Sequence, residues 1–238
     1  MTYLDGAALA FFLIAWWFLG WLIDASPWHK HTLSAAMKAH RREWMRQMAS
    51  REVRLVDANI TTGLQQATSF FASTALLALG AGFGLLTAAD TIINAFETSF
   101  VHVEIDHGSF YLKTAGLMTL YAYAFFKFGW SYRLFNYSAV MLAATPAPGA
   151  AHAAEAATDV AEMNIAAAGQ FTHGLRAYFL AIAFLAWFLG PWEFAGATVV
   201  ILTALVNRQF NSAGRMVAVR SARRLMGAEP DKASQAGV

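Results

Sequence analysis

Five runs of apolar residues divide the chain, and the polar stretches between them are of two unlike kinds. Leu4 to Ile23 is apolar apart from Asp5 and, at 1.5 Å per residue, is long enough to cross about 30 Å of hydrocarbon. No basic residue precedes it, and it is longer than the core of a cleaved leader, so it reads as an uncleaved anchor. The later runs predict spans at about 64–86, 110–135, 171–190 and 192–207. The last two are short and are separated by Gly190, Pro191 and Trp192, so they either cross fully or form a re-entrant hairpin. The predicted fold is an all-α integral membrane protein with four to five transmembrane helices and one or two amphipathic cytoplasmic helices. It forms a single domain over 1–226, followed by a disordered tail at 227–238.

Segment 24–63 is the most basic, with Lys30, Lys38, Arg41, Arg42, Arg46, Arg51 and Arg54. Within it Met37, Trp44, Met48 and Leu55 recur at spacings of seven and four, which predicts one helix lying with that face on the inner leaflet. Segment 136–172 breaks at Pro146 and Pro148 and then turns Ala-rich, with Glu155, Asp159 and Glu162 on one face. That pattern predicts a second cytoplasmic helix, whose acidic face would dock near Arg42 and Arg46. By contrast, Thr87 to Ser109 holds Asp90, Glu97, Glu104 and Asp106 with no Lys or Arg, and reads as the outside loop. Every Lys and Arg except Lys113 then falls in a cytoplasmic segment or at its membrane edge. This distribution predicts an amino terminus outside and a carboxyl terminus in the cytoplasm.

Composition agrees with the pattern: charged residues make up 13% of the chain, about half the share usual for a soluble domain. The basic residues lie beside apolar spans rather than coating a soluble face, which argues against nucleic acid as a partner. With no cysteine, disulfide frameworks, thiolate nucleophiles and cysteine-ligated metals are excluded. No phosphate-binding Gly loop, nucleophile elbow or zinc helix occurs, and no span carries an acid near its middle. No enzyme activity and no cofactor is expected.

Three groups of residues could carry function. Glu52, Arg54 and Asp57 precede the second span, Arg133, Asn136 and Tyr137 follow the third, and Arg176 opens the fourth. They are predicted to meet at the cytoplasmic face as a polar vestibule or lipid-headgroup site, with Arg133 and Arg176 offering bidentate contacts to phosphate. Gln65, Ser69 and Ser73 follow one another at four-residue spacing, and Gly80 and Gly84 make a small-residue patch; together they predict a pore-lining or helix-packing face. His102, Glu104, Asp106 and His107 could ligate zinc or manganese, although a solvated acidic loop is the simpler reading.

Arg41 to Asp57 (RREWMRQMASREVRLVD), Ser69 to Thr74 (SFFAST), Phe135-Asn136-Tyr137 and Phe171 to Pro191 (FTHGLRAYFLAIAFLAWFLGP) together resemble the membrane-protein family catalogued as domain of unknown function 599. The resemblance runs from about Trp16 to Phe210 and is most specific in the last stretch. It implies a multi-span bacterial inner-membrane protein and brings no activity with it. The expected function is a non-enzymatic interaction, scaffold or lipid-binding module, partnered by the lipid bilayer, by anionic lipids at the cytoplasmic face, and by further copies or another membrane protein. The alternatives are an oligomeric channel or small transporter, and a metal-binding protein acting through the outside loop.

Overall fold

The computed structural model describes residues 2–98 and 106–225, and every regular element among them is helical. In chain order these are α1 (Tyr3–Asp24), α2 (Leu33–Ala49), α3 (Leu55–Thr87), α4 (Ala89–Thr98), α5 (His107–Ala144), α6 (Ala153–Leu185), α7 (Pro191–Phe210) and α8 (Ala213–Leu225). Short 3-10 turns occupy Pro27–His31 and Ala186–Phe188. Among the described residues, three stretches are long and apolar enough to cross a membrane: α1, α3 and Ala153–Phe188. The expected tail at 227–238 lies outside the described residues.

Local signals set the helix ends. Thr2 and Asp5 form a reciprocal capping box at the start of α1, Thr32 caps α2 through the Ala35 N–H, and Asp106 caps α5 through the Ser109 N–H. Pro191 occupies the first turn of α7 directly after Gly190, so the turn signal between the last two apolar runs is where the chain reverses.

α5 and α6 run antiparallel in the longest contact of the fold; α3 packs along α5 and touches α6 through Phe71, α7 packs on α6, and α1 on α7. Their 38 and 33 residues extend about 57 and 50 Å at 1.5 Å per residue. The seam is tight at two glycines. A Cβ on Gly116 would stand 2.6 Å from Phe184 Cζ, and one on Gly174 would stand 2.6 Å from Phe128 Cε1. The Ser131 hydroxyl donates to the Ala167 carbonyl at 2.7 Å in the same seam. α3 offers α5 a ladder of Thr61, Thr68, Ala75 and Gly82, all buried and spaced by seven. A Cβ on Gly82 would lie 2.5 Å from Met118 Cγ.

At one end of the bundle Asp5, Lys113 and Trp187 are buried together. Asp5 Oδ1 accepts from Trp187 Nε1 at 2.8 Å, and Lys113 Nζ donates to the Trp187 carbonyl at 2.8 Å while standing 3.6 Å from Asp5 Oδ1. The other, basic end carries the turn between α5 and α6. Here their surplus length holds α2, whose Met45 and Met48 are buried with Leu142, Ala157, Val160 and Ala161.

Several expectations need correction. α2 ends at Ala49, so Leu55 opens α3 instead of continuing the stripe of Met37, Trp44 and Met48. The buried face of α2 is Ala36, Met45 and Met48, turned toward protein, and Met37 is exposed. The second cytoplasmic helix is not separate: it is the first half of α6, which no proline interrupts between Ala153 and Leu185. Likewise α5 continues past Phe135 to Ala144, and the connection after α3 contains α4, seated by Ala89 and Ile93. Gly80 and Gly84 face away from the other helices, with nothing within 4 Å of a Cβ at either. Two residues turn an α-helix through about 200°, so these glycines lie opposite the packing residue Gly82.

Gly174→Ala and Gly116→Ala are each expected to destabilise the protein by about 1–3 kcal/mol, the usual cost of overpacking a filled seam. Gly80→Ala and Gly84→Ala are expected to be neutral or slightly stabilising. Thermal unfolding in detergent followed by circular dichroism separates the two pairs, and a Gly174→Ala midpoint at or above wild type would refute the seam.

Candidate functional site

At the basic end a crevice of about 470 Å³ opens where α1, α2, α6 and α7 converge. Its geometry starts from the short connection after α1. Ser26 caps the 3-10 turn, Thr32 caps α2, and the first turn of α2 is held to the end of α7 because Gln209 Oε1 accepts from the Ser34 N–H at 3.3 Å and the Ser34 hydroxyl at 3.2 Å. The crevice is lined by Lys38, Arg41, Arg176 and Arg208, with Asp24 as its one carboxylate and Phe135, Phe171 and Leu175 among its apolar walls. Four cationic groups against one anion leave the cavity with a strong excess of positive charge.

Arg176 is the most buried of the four cations. It sits 11 positions before Trp187, about 16 Å along α6, in an apolar part of that helix. It is only 6% exposed. Its Nη1 and Nη2 donate to Asp24 Oδ2 and Oδ1 at 2.5 and 3.0 Å, and its Nε is buried without a partner. One turn earlier, His173 Nε2 stands 3.6 Å from Asp24 Oδ2. Arg41 reaches the crevice wall from α2. Its Nη1 donates to Asn164 Oδ1, its guanidinium lies 6.0 Å from the Phe135 ring, and Asn164 Nδ2 in turn donates to Ser138 Oγ at 3.3 Å. Burial lowers the Arg41 pKa from its ordinary value, yet a guanidinium so far above neutrality stays charged. Lys38 and Arg208 are exposed at the mouth, Arg208 lying 5.8 Å from the Phe179 ring. This combination of fixed forked donors and flanking cations suits a phosphate or carboxylate.

Of the seven residues expected to form one polar vestibule, only Arg176 lines this crevice. Arg54 donates through both terminal nitrogens to the Thr145 and Pro146 carbonyls, closing the end of α5. Asp57, fully buried, accepts from Trp44 Nε1 at 2.7 Å and Arg51 Nη1 at 2.6 Å, which locks the turn between α2 and α3. Glu52 is exposed in that turn. Arg133 Nε donates to the Tyr137 hydroxyl at 2.6 Å on an exposed face of α5, and Asn136 Oδ1 accepts from Gln65 Nε2 at 2.7 Å between α5 and α3. Ser69 and Ser73 are exposed on α3, on the side of Gly80 and Gly84.

On the expected outside loop, His102 and Glu104 lie outside the described residues, Asp106 is used as the α5 cap, and His107 Nδ1 stands 3.6 Å from Asp90 Oδ1. Among the described residues no group of three or more His, Asp or Glu is arranged to hold a metal. The acidic face of α6 meets α2 through Glu162, whose Oε1 lies 2.6 Å from Arg42 Nε, while Glu155 pairs with His152. Both members of the Arg42 pair are about half exposed, so it stabilises the docking little and the buried methionines dominate.

Asp24, Lys38, Arg41, His173 and Arg208 were not anticipated as a site. The three-residue spacings of Lys38 with Arg41 and of His173 with Arg176 were visible signals, since each pair shares a helix face. Nothing local joins those faces to Asp24, 152 residues away from Arg176.

The model of the family described as Protein of unknown function, DUF599, matches residues 7–213, a span that includes every residue lining the crevice. No curated protein and no solved structure matches the chain.

Asp57→Ala strands the Trp44 and Arg51 donors and is expected to destabilise the protein by about 1–3 kcal/mol. Arg51→Ala, at a side chain open to solvent, is expected to cost less. Thermal midpoints of the two variants test this, and equal midpoints would show that burial of Asp57 is not what holds the turn.

Proposed function

The chain belongs to the DUF599 family, and from that premise we propose that it is a multi-pass protein of the bacterial cytoplasmic membrane which binds the headgroup of an anionic lipid in the crevice and catalyses no reaction. Its amino terminus lies outside and its basic end in the cytoplasm. The observation that carries this reading is Arg176, a buried guanidinium lining a cavity with four cations and a single carboxylate. A cation at such depth is costly unless paired, and a phosphate offers more acceptor positions than Asp24 supplies alone.

Depth and surroundings support a headgroup as the ligand. The 22 residues of α1 extend about 33 Å, close to a hydrocarbon thickness, and Asp24 is the last of them. The crevice therefore lies at the level where α1 leaves the hydrocarbon. Trp21, Trp28, Trp130, Tyr132 and Tyr137 are exposed near this end, as aromatic residues are at membrane interfaces. α8 adds Arg215, Arg220, Arg223 and Arg224 directly after α7, and it is held to the 3-10 turn and α2 by Arg215 Nε donating to the His31 carbonyl and by His40 Nε2 beside the Ala218 carbonyl. An anionic leaflet attracts such a basic surface.

Native mass spectrometry from nanodiscs holding phosphatidylglycerol and phosphatidylcholine tests the proposal. Wild type is expected to retain phosphatidylglycerol preferentially. Lys38→Gln combined with Arg208→Gln, both exposed, is expected to weaken retention roughly thirtyfold at low salt, from about 1 kcal/mol for each basic residue near an anionic surface. Equal retention of the two lipids by wild type would overturn the reading.

A further inference from the structure

A second cavity shares the Asp24 and Arg176 pair. It is a groove of about 570 Å³ between α1 and the α5–α6 pair, walled by Trp17, Gly20 and Trp21 of α1 and Tyr123 of α5, and it ends on Asp24, His173 and Arg176. The cationic crevice lies on the other side of the same three residues. Resting on the headgroup reading above, we propose that the two cavities are halves of one site. A single anionic lipid enters it sideways from the hydrocarbon, with an acyl chain in the tryptophan groove and its phosphate replacing Asp24 on Arg176.

Three observations carry this. First, the groove is lined by Leu13, Trp16, Trp17 and Trp21 and carries its charged groups, Asp24, His173 and Arg176, together, the distribution of an amphiphile and not of a free anion. Trp17 is 71% exposed and Trp21 44% exposed, so the groove opens outward from the bundle. Second, the groove runs past a residue with no side chain. A Cβ on Gly20 would meet nothing within 4 Å, whereas α1 is closed against the bundle toward its start by Phe12, which packs on Phe184 and Phe194. Third, Asp24 is suited to exchange. It ends α1, where the helix dipole disfavours an anion, and its side chain is 41% exposed while that of Arg176 is 7% exposed. The carboxylate can move to solvent; the guanidinium cannot. A phosphate arriving along the groove takes over both terminal nitrogens and reaches the Nε that Asp24 leaves without a partner.

The test uses full-length protein in the same mixed nanodiscs, with thermal midpoints confirming that each variant folds. Gly20→Leu places a side chain on the groove wall, its Cβ in open space, and is expected to lower phosphatidylglycerol retention at least fivefold. Gly6→Leu, at another open position of α1 away from the groove, is expected to leave it unchanged. Asp24→Asn removes the competing charge at constant size and is expected to raise retention at least threefold. Free glycerol phosphate is expected not to displace the lipid. Wild-type retention by Gly20→Leu, weaker retention by Asp24→Asn, or displacement by glycerol phosphate would each overturn the shared site. If Lys38→Gln with Arg208→Gln weakens retention while Gly20→Leu does not, the headgroup crevice stands and the tail groove falls. If wild type shows no preference for phosphatidylglycerol, both readings fall together.

Discussion

Where α5 and α6 lie side by side, Gly116 and Gly174 leave gaps that Phe184 and Phe128 fill from the opposite helix, and the rest of the structure depends on that contact. Apolar burial alone would let two such helices slide, because aliphatic side chains pack about equally well at neighbouring registers and as well against lipid as against each other. Glycine gaps filled by rings do not permit this. The polar links along the seam, Ser131 to the Ala167 carbonyl and Asn164 to Ser138, are buried and geometrically demanding, so they reinforce one register. Because both helices are longer than the elements packed on them, a single register fixes where α3, α7 and α2 sit along them.

α1 is fastened differently. Its buried residues other than Asp5 are Ala8, Phe12, Leu19 and Ile23, which carry little directional information. Ion pairs supply it at both ends: Asp5 with Lys113 beside Trp187, and Asp24 with Arg176. The two are not equivalent. Asp5 is buried under three donors and holds the helix down, whereas Asp24 is open to solvent and faces both cavities. Breaking a fully buried pair leaves a stranded charge, but an exposed carboxylate gives up its partner at small cost once another anion takes its place. The pair with the more exposed carboxylate stands at the end where the cations gather.

Arg41 links that chemistry to the fold. Held by Asn164, it lies beside the seam, and the Asn164 amide that fixes it also bonds Ser138 across the two long helices. The cavity wall is therefore part of the register-setting network, and its cation is held by the fold itself. Lys38 and Arg208, exposed at the mouth, contribute charge without comparable geometric constraint.

What the amino-acid sequence determined by itself follows from short-range physics. Apolar runs of sufficient length marked helices able to cross a membrane, capping residues set where α1, α2 and α5 begin, Gly190 and Pro191 placed the reversal before α7, and the resemblance over 16–210 led to the family. Arg176 was legible as a candidate because an arginine in an apolar run demands a partner. Tertiary structure alone decided who that partner is, which face of α3 packs, and that Lys38, Arg41 and Arg208 share a cavity with it. In a lipid-like setting apolar residues cover the outer and inner faces of a helix alike, so their period does not distinguish Gly82 from Gly80 and Gly84. Charges from α1, α2, α6 and α7 meet only because the packing of these helices brings those residues to one level, and no local pattern encodes that level.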